Sequence, residues 1–594
     1  MTIRRADDTR GGGGMRQLYA VLAIGAVVLM AWSCIALAFW LNGEAVPLNP
    51  MAAIIEAISG IHRPPRTAWI FATIWAVIVV TGTAFWVVVR GRGGATARRN
   101  TEIARTMSTP GELRDLTGRG AQEKAARLYS GASAKDPGSL GLVLGRTVAK
   151  PHTDIWMSWE DTAVIFAGQR MGKTQSYVTT SILSAPGPCL ATANKRDVVD
   201  LTRLGREQKG RVWVFDLQAI ASDGAAAWWW NPLGMIRDIN DARKLADYFA
   251  SAAVSDDARQ DAYFTTASQD LLAYYIFAAA LADGDLLHVW EWLKNDTDNT
   301  PAQILALYGE PAAASAVTNT INLAARQKDG VFAMASNLIA VLSSRRYSAA
   351  VTPAQRVSLS VAGTEIVRTP MPSYERQNRE QFDPLAFVES TDTLYALSVD
   401  GADSPAALTT ALAGQIFDAA QQVARMRVGG RLPTPFVGVL DEAANVVRLR
   451  NLPALYSYAG SQGIVLLTFL QSRSQARRVW GDDGIRAMVE SSNFVVYGGG
   501  IKDTQFLREI SDLIGDMRVQ RSSTSVGAQT SYTTQYEKQA IMTVDQLAAL
   551  PSSQAVVLSS GHRATLTTKI FWRESRFAGV VTESLERQEE RGYE

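Results

Sequence analysis

Residues 162–182, TAVIFAGQRMGKTQSYVTTSI, join a short apolar run, a turn that contains glycine and a segment compatible with a helix. The tripeptide Gly172-Lys173-Thr174 has the form that closes a phosphate-binding loop, where backbone N–H groups and a helix N-terminus face the phosphates. In such a loop Lys173 reaches the β- and γ-phosphates, and the Thr174 hydroxyl binds Mg²⁺. The residues predicted to contact ATP are Gly168, Gln169, Arg170, Met171, Gly172, Lys173, Thr174 and Gln175.

One position departs from the pattern GxxxxGK[ST], because Ala167 stands where the pattern begins with glycine. That glycine serves backbone geometry rather than chemistry, so alanine is compatible with nucleotide binding if its φ angle is negative. Gly168 follows directly and supplies conformational freedom. We therefore expect a working nucleotide site, with a degenerate loop as the alternative.

Two further apolar runs end in residues that could complete the chemistry. PFVGVL, at residues 435–440, leads into Asp441 and Glu442. In P-loop enzymes the first acid holds Mg²⁺ through water and a following glutamate can deprotonate the attacking water. Two acids that open a helix would also favour its macrodipole, but the upstream loop favours the catalytic interpretation. GIVLLTFLQ, at residues 463–471, ends at Gln471, which suits a γ-phosphate sensor or is simply a polar strand end.

These runs define the predicted site. Its catalytic residues are Lys173, Asp441, Glu442 and Gln471, and its metal ligands are Thr174 and Asp441. The arginines that follow Gln471 fit a solvated helix face better than an arginine finger or a DNA-phosphate contact; they are Arg473, Arg477, Arg478 and Arg486.

Composition limits the other possibilities. The chain has 594 residues, 47% of them hydrophobic and 20% charged, which is typical of a folded protein. A net charge of +2 means that any basic surface for nucleic acid is local. Two cysteines and four scattered histidines give no support for a disulfide framework or a multi-cysteine metal centre.

The fold class predicted from these patterns is α/β. Short apolar runs that end in polar residues alternate with helical patterns, as in a buried parallel sheet. Strand signals vanish from about residue 241 to residue 344, where apolar residues recur at helical spacing. We therefore expect a nucleotide-binding domain, 151–240 and 346–575, with an all-α insertion domain, 241–345. Residues 91–150 are interpreted as a linker and domain entry, and 576–594 as a charged C-terminal tail.

Two uncharged apolar segments, 18–41 and 67–89, are each long enough for a transmembrane helix. The alternative for the first is a cleaved signal peptide, but it is long for one and a second segment follows. Arginines precede the first segment and follow the second, so the positive-inside rule puts both termini in the cytoplasm. Residues 1–90 are accordingly predicted to form a membrane anchor, in a multi-pass protein of the bacterial inner membrane.

Taken in order, these motifs resemble those of the type IV coupling proteins, the TraG/TraD-like ATPases of conjugation and type IV secretion. NKRDVVD follows the second strand of the soluble part and VWVFDLQ is followed by WWWNPL. LDEAANV then precedes SQGIVLLTFLQSRSQ, SNFVVYGGGIKDTQFLREISDLIG and IMTVDQLAALPSSQAVVL. The resemblance extends from Leu18 to about Trp572, and the sequences NKRDVVD and WWWNPL are similar to those of actinobacterial members.

The resemblance implies a RecA-like P-loop fold and an ATPase that uses ATP and Mg²⁺ and is stimulated by DNA. It implies a homo-hexamer that receives single- or double-stranded DNA with a relaxase, or a protein substrate, and passes it to the secretion channel. Lys173, Thr174, Asp441, Glu442 and Gln471 match the family's motif positions. Two other functions stay open: a motor of the FtsK/SpoIIIE or type VII secretion kind, and a membrane scaffold that binds nucleotide without turnover.

Two remaining stretches carry less specific predictions. Residues 520–536, QRSSTSVGAQTSYTTQY, have no apolar face and are interpreted as a flexible surface loop, with substrate sensing as the alternative. The three tryptophans at 228–230 could stack on bases, but packing in a core or interface is the favoured interpretation.

Overall fold

The computed structural model describes residues 29–43, 45–46, 48–59, 66–133, 135–222, 227–253, 262–372, 378–401, 404–525 and 531–592. The chain divides into two compact units, Met1–Asn100 and Thr101–Glu594. Each unit is described by itself.

The described part of the first unit is helical. It comprises a helical stretch at 29–41, the helix Pro50–Ser59 and most of the helix Arg66–Thr106. Residues 18–28 of the predicted segment 18–41 lie outside the described residues, whereas 67–89 belongs to a helix that continues through Gly- and Arg-rich sequence to Thr106. A bilayer crossing needs about 20 apolar residues in one helix. Among the residues described, no helix combines the length and the apolar character that a crossing requires, so the predicted multi-pass membrane localisation is wrong on this finding.

The second unit is organised around a mixed sheet of eleven strands among its described residues. Their spatial order is β2-β1-β17-β16-β13-β3-β12-β11-β4-β10-β5. The bounds of the seventeen described strands are as follows: β1 Leu142–Thr147, β2 Asp154–Met157, β3 Thr162–Phe166, β4 Cys189–Ala193, β5 Val212–Asp216, β6 Trp228–Trp230, β7 Val357–Ala362, β8 Glu365–Pro370, β9 Glu380–Phe382, β10 Thr393–Leu397, β11 Phe436–Leu440, β12 Ile464–Leu470, β13 Phe494–Tyr497, β14 Asp516–Ser525, β15 Ser531–Ala540, β16 Gln554–Ser559 and β17 Thr565–Thr568.

Seven neighbouring strands of this sheet, from β13 to β5, run parallel, and the strands on the other side of β13 pair antiparallel. Every residue of β3, β4, β10, β11, β12 and β13 is buried, which explains why these strands are continuous apolar runs. In β3, Val164 and Phe166 pack into one hydrophobic core, and Ala163 and Ile165 pack into a second core. Because side chains alternate along a strand, the sheet separates these two cores. The fold is therefore of the α/β class that the sequence predicts, with a largely parallel sheet between two cores.

Helices cover both faces of the sheet and fill the long connection between β5 and β10. The α-helices described in this unit are Gly118–Leu128, Thr179–Ser184, Asp197–Glu207, Ile239–Ala252, Ala262–Leu281, Leu286–Leu293, Thr300–Leu307, Pro311–Ile321, Ala325–Leu338, Arg345–Ala349, Pro384–Val388, Ala406–Met426, Ala443–Val446, Leu452–Leu455, Arg473–Ser491, Thr504–Ile514, Val544–Ala548 and Ala578–Gly592. Seven of them, from Ile239–Ala252 to Arg345–Ala349, succeed one another in the interval predicted as an all-α insertion. The boundaries of that insertion as a domain stay a prediction.

A buried ionic cluster closes this helical region. Arg356 is 1% exposed at its side chain and contacts Asp285 at 2.6 Å and Glu291 at 2.8 Å. Asp285 also caps the helix Leu286–Leu293 by accepting hydrogen bonds from two of its backbone N–H groups. Arg356 directly precedes β7, so the cluster ties the hairpin β7–β8 to that helix.

Two of the less specific predictions have opposite outcomes. The tryptophans form β6, which pairs with β9, and Trp230 is fully buried with its indole N–H donating to Gln415. Packing in the core is therefore confirmed. Residues 520–525 and 531–536 are strands rather than a loop, because they belong to β14 and β15, which pair antiparallel over ten residue pairs. A two-stranded ribbon needs no apolar face when it does not cover a core, and its Ser, Thr and Tyr residues suit extended backbone.

Candidate nucleotide site

The predicted site residues follow three adjacent parallel strands. The loop from Ala167 to Lys173 follows β3, Gln471 follows β12, and Asp441 and Glu442 follow β11, with β12 paired to both of the others. Carboxyl ends of parallel strands meet at one edge of a sheet, where α/β proteins place their ligands. The fold therefore brings together four side chains that are up to about 300 residues apart in sequence.

Lys173 lies between the two carboxylates. Its Nζ is 2.6 Å from Asp441 Oδ1 and 2.6 Å from Glu442 Oε1. All three side chains are buried, at no more than 8% exposure each. One ammonium group facing two carboxylates leaves an excess of one negative charge in a site screened from water, if both acids are ionised.

Burial and pairing act on these groups in opposite directions. Burial raises the pKa of Asp441 to about 6, because the nearby Lys173 only partly offsets the loss of hydration. Burial alone would lower the pKa of Lys173, but Asp441 and Glu442 more than compensate and hold it above its ordinary value. Lys173 is therefore charged at neutral pH, and Asp441 changes its protonation state in the mildly acidic range.

Glu442 has a second partner and an unusual backbone. The Gln471 side-chain amide donates to Glu442 Oε1, and the Asn445 amide donates to Oε2 at 3.3 Å. Glu442 has a φ angle of +54°, a left-handed conformation that glutamate rarely adopts. Strain of this kind persists where surrounding contacts fix the residue, and it is common at functional sites. Gln471 and Asn445 supply such contacts.

The phosphate-binding loop has a mixed exposure that suits its predicted role. Gly168 and Lys173 are buried, Gln169 and Arg170 are exposed, and Met171, Gly172, Thr174 and Gln175 are intermediate. Arg170 and Gly172 take left-handed φ angles of +59° and +76°. A turn of π-helix, Thr174–Val178, then leads into the helix Thr179–Ser184. The loop is thus followed directly by a helix N-terminus, as anion binding requires.

Ala167 is accommodated by Gly498, which directly follows the neighbouring strand β13. Ala167 is not among the described non-glycine residues with left-handed φ angles, which are Arg170, Ala219, Asp283 and Glu442. Its backbone therefore meets the condition under which alanine is compatible with nucleotide binding. A Cβ atom added at Gly498 would lie 3.0 Å from the Ala167 methyl group. Glycine at 498 therefore leaves the space that alanine at 167 occupies.

Arg473 does not lie on a solvated helix face, contrary to what the sequence predicts. Its guanidinium contacts Glu509 at 2.8 Å, and its side chain is only 12% exposed. Arg477 does pair with Asp482 at an exposed position. The physical reason is the position of the helix Thr504–Ile514, which carries Glu509 against the start of the helix Arg473–Ser491.

Lys569 and Phe571 also contact the loop, although the sequence predicts neither as a site residue. Lys569, which follows β17, donates from Nζ to the carbonyl oxygen of Met171 at 2.7 Å and to that of Gly498 at 2.8 Å. The Phe571 ring packs against Gly172. A single lysine at the end of TLTTK gives no local signal, because its partners lie on loops far away in sequence.

Comparisons with known proteins agree on one family. The family model described as the type IV secretory system conjugative DNA transfer family matches residues 127–328. The model described as the TraM recognition site of TraD and TraG matches residues 435–552. The two matches follow one another along the chain and together span more than half of it.

Two curated relatives are type IV secretion system-coupling proteins VirD4. The protein from Bartonella quintana (strain Toulouse) is 22% identical over 398 residues, which cover 64% of this chain and 57% of the relative. That from Bartonella henselae is 21% identical over 419 residues, which cover 67% of this chain and 61% of the relative. The chain thus matches less than two thirds of the length of either relative.

One similar solved structure is that of the bacterial conjugative coupling protein TrwBdeltaN70. It is 14% identical in sequence with a TM-score of 0.48, and the match covers 70% of this chain and 86% of that chain. The plasmid coupling protein TrwB in complex with ADP and Mg²⁺ is 14% identical with a TM-score of 0.47, and the match covers 70% and 87% of the two chains. The family assignment rests on the sequence matches. The two family models and the two VirD4 relatives support the assignment of this chain as a type IV coupling protein.

Proposed function

We propose that this protein is an ATPase that couples a DNA–relaxase complex or a protein substrate to a type IV secretion channel and drives transfer by ATP hydrolysis. The observation that carries the proposal is the contact of Lys173 with Asp441 and Glu442, with Gln471 donating to the same glutamate. Family membership supplies the substrate class. A chain that only docked partners would have no need of a buried, strained glutamate held by an amide.

The residues at this site fit a nucleotide with Mg²⁺. Lys173 would hold the β- and γ-phosphates, and Thr174 and Asp441 would hold the metal, because Mg²⁺ prefers hydroxyl and carboxylate oxygen. When bound, Mg²⁺ would neutralise charge on the phosphates. Burial raises the pKa of Asp441 to about 6 and so disfavours its charged form. A bound cation would stabilise that charged form, which supports a metal at Asp441.

Each of the other side chains has a distinct role in the proposal. Glu442 would orient the attacking water and accept its proton, since its Oε1 already accepts hydrogen bonds from both Lys173 and Gln471. Binding of phosphate would draw Lys173 away from the carboxylates and so free Glu442 to act as a base. Gln471, at the sheet edge between β3 and β11, would then act as a sensor of the γ-phosphate.

Assembly and partners are part of the same proposal. We infer a homo-hexamer in which DNA, single- or double-stranded, stimulates turnover, with relaxase and secretion-channel proteins as partners. The net charge of +2 supports a DNA contact confined to a local surface. Such a contact weakens as salt is raised, which gives the interaction a simple signature.

The test is ATP turnover by the full chain, measured with no DNA, with single-stranded DNA and with duplex DNA. DNA-stimulated turnover is expected, and Lys173→Ala and Glu442→Gln are each expected to abolish it. Lys502→Ala and Glu490→Gln change exposed residues of the same types and are expected to leave turnover intact. Tight nucleotide binding without turnover, under conditions where the chain forms rings, would contradict the proposal and support a docking scaffold.

A further inference from the structure

A buried lysine links two loops at the edge of the nucleotide site. Lys569 is 1% exposed, and its backbone N–H donates to Ser553 at 2.8 Å, which fixes the chain where β17 ends. Its Nζ donates to the carbonyl oxygens of Met171 and Gly498 at 2.7 and 2.8 Å. Met171 belongs to the phosphate-binding loop, and Gly498 opens the glycine triplet, Gly498–Gly500, that follows β13.

This amine is held without a neutralising acid among its described contacts. Burial lowers the pKa of Lys569 to about 8, and burial is the single cause of the shift. A buried ammonium group is costly unless its hydrogen bonds are satisfied, so the two carbonyl oxygens are strong constraints on where it can lie. Its position, in turn, constrains both loops.

The two loops also touch directly, with no room between them. The Gly168 N–H donates to the Gly499 carbonyl at 2.9 Å. A Cβ atom at Gly168 would lie 2.3 Å from the Gly500 oxygen, and one at Gly500 would lie 2.5 Å from Met171 Cγ. Backbone therefore packs on backbone here, and any displacement of the triplet is transmitted to the phosphate-binding loop.

The residues after Lys569 extend this contact along the loop. A Cβ atom at Gly172 would lie 2.8 Å from the Phe571 ring, and the Trp572 indole N–H donates to the Gln175 side chain. One short segment thus contacts the loop at Met171, Gly172 and Gln175. These three contacts lie on both sides of Lys173, the side chain that must meet the phosphates.

We propose that Lys569 is a positioning residue that fastens the phosphate-binding loop to the glycine triplet and so sets the backbone that receives the nucleotide phosphates. The proposal deepens the proposed function and rests on it for the identity of the ligand. Lys569 acts through the Met171 carbonyl and needs no contact with the nucleotide. Its loss releases the loop before it affects the rest of the sheet.

Lys209 offers a control for the loss of an amine held by two carbonyl oxygens, although Lys209 is an exposed residue and Lys569 is buried. Its Nζ donates to the carbonyl oxygens of Leu183 and Ala185 at 2.8 and 2.9 Å, and burial lowers its pKa to about 8 as well. Neither of these carbonyls belongs to the phosphate-binding loop. Lys209→Met therefore removes the same kind of hydrogen bond from an exposed residue, and the Tm of both variants is measured so that a general loss of stability is recognised.

The experiment measures amide hydrogen exchange over residues 168–174 in the nucleotide-free full chain, together with the Kd for ATP. In Lys569→Met we expect exchange of the loop amides to rise at least about 10-fold over Lys209→Met, because local opening is governed by local contacts. The Kd for ATP is expected to rise about 10- to 100-fold in Lys569→Met and to stay unchanged in Lys209→Met. Equal loop exchange in the two variants overturns the proposal.

A second variant keeps the test decisive if Lys569→Met does not fold. A Cβ atom at Gly498 would lie 3.0 Å from the Ala167 methyl and 3.4 Å from Lys569 Nζ, so Gly498→Ala crowds the packing of the triplet against the start of the phosphate-binding loop while Lys569 keeps its charge. Faster loop exchange supports the proposal, and exchange equal to that of the unmodified chain overturns it. If the unmodified chain binds no ATP, the proposed function fails, while the exchange measurement still decides the role of Lys569.

Discussion

Replacing Asp441 by asparagine is expected to stabilise the nucleotide-free chain at neutral pH while abolishing turnover. The Asp441 carboxyl is 5% exposed, and burial raises its pKa from an ordinary value of 3.8 to about 6. A folded-state pKa above the unfolded-state value means that folding favours the neutral form. Asparagine has the shape of that neutral form, so it avoids the free energy needed to keep a charge in the site.

The magnitude follows from the two pKa values. Their difference of about two pH units, at about 1.4 kcal/mol per pH unit, corresponds to about 3 kcal/mol at most. The penalty on aspartate is absent below about pH 4, grows between pH 4 and 6, and is constant above pH 6. The advantage of asparagine should therefore be greatest at pH 7.5 and fall to about half at pH 5. Lys173 keeps Glu442 as a partner in the variant, so it is not left unpaired.

The assay is thermal unfolding followed by tryptophan fluorescence, at pH 7.5 and pH 5, without nucleotide or Mg²⁺. Asp503→Asn is the control, because Asp503 is an exposed cap of the helix Thr504–Ile514 and asparagine caps equally well. We expect Asp441→Asn to raise the apparent Tm at pH 7.5 and Asp503→Asn to leave it unchanged. A lower Tm for Asp441→Asn at pH 7.5, or an advantage that does not shrink at pH 5, would refute the reasoning.

Three further substitutions test other contacts. Gln471→Ala should lower turnover at least about 10-fold with little change in the Kd for ATP, and a loss of affinity instead would show that Gln471 serves binding rather than chemistry. Arg356→Met leaves the buried Asp285 with His288 as its remaining ionisable partner and should destabilise the helical region by about 3 kcal/mol in urea unfolding; a change below about 1 kcal/mol would contradict this. Trp230→Ala should cost about 3–5 kcal/mol in the same assay, because the indole is fully buried, whereas stability equal to that of the unmodified chain would mean that the core refills the space.

The contact among Lys173, Asp441 and Glu442 follows from principles that can be applied to sequence alone. Asp441 and Glu442 come directly after one apolar run, Lys173 ends the loop that follows another, and the ends of parallel strands must meet at one edge of the sheet. What these runs do not reveal is the order of the strands. The position of β12 between β3 and β11, which brings Gln471 to Glu442, depends on the packing of the whole sheet.

The contact of Lys569 with the phosphate-binding loop could not be predicted from the sequence. Its partner Met171 is 398 residues away, and β17 joins the sheet through an antiparallel pairing that leaves no periodic pattern. The hairpin β14–β15 was missed for a different reason. Its sequence has neither an apolar face nor a charged one, and pairing of polar strands leaves no signal in hydrophobic periodicity.

The connection between β5 and β10 can vary in length without disturbing the sheet. The two strands pair in parallel from Val212 with Thr393 to Asp216 with Leu397, although more than 170 residues separate them. Their pairing fixes both ends of the connection, and the entropy of closing it grows only slowly with its length. Whole helices can therefore be gained or lost there without moving the register that carries Lys173, Asp441 and Gln471. The helical region can then change in length and composition while the strand ends that carry these side chains stay in place.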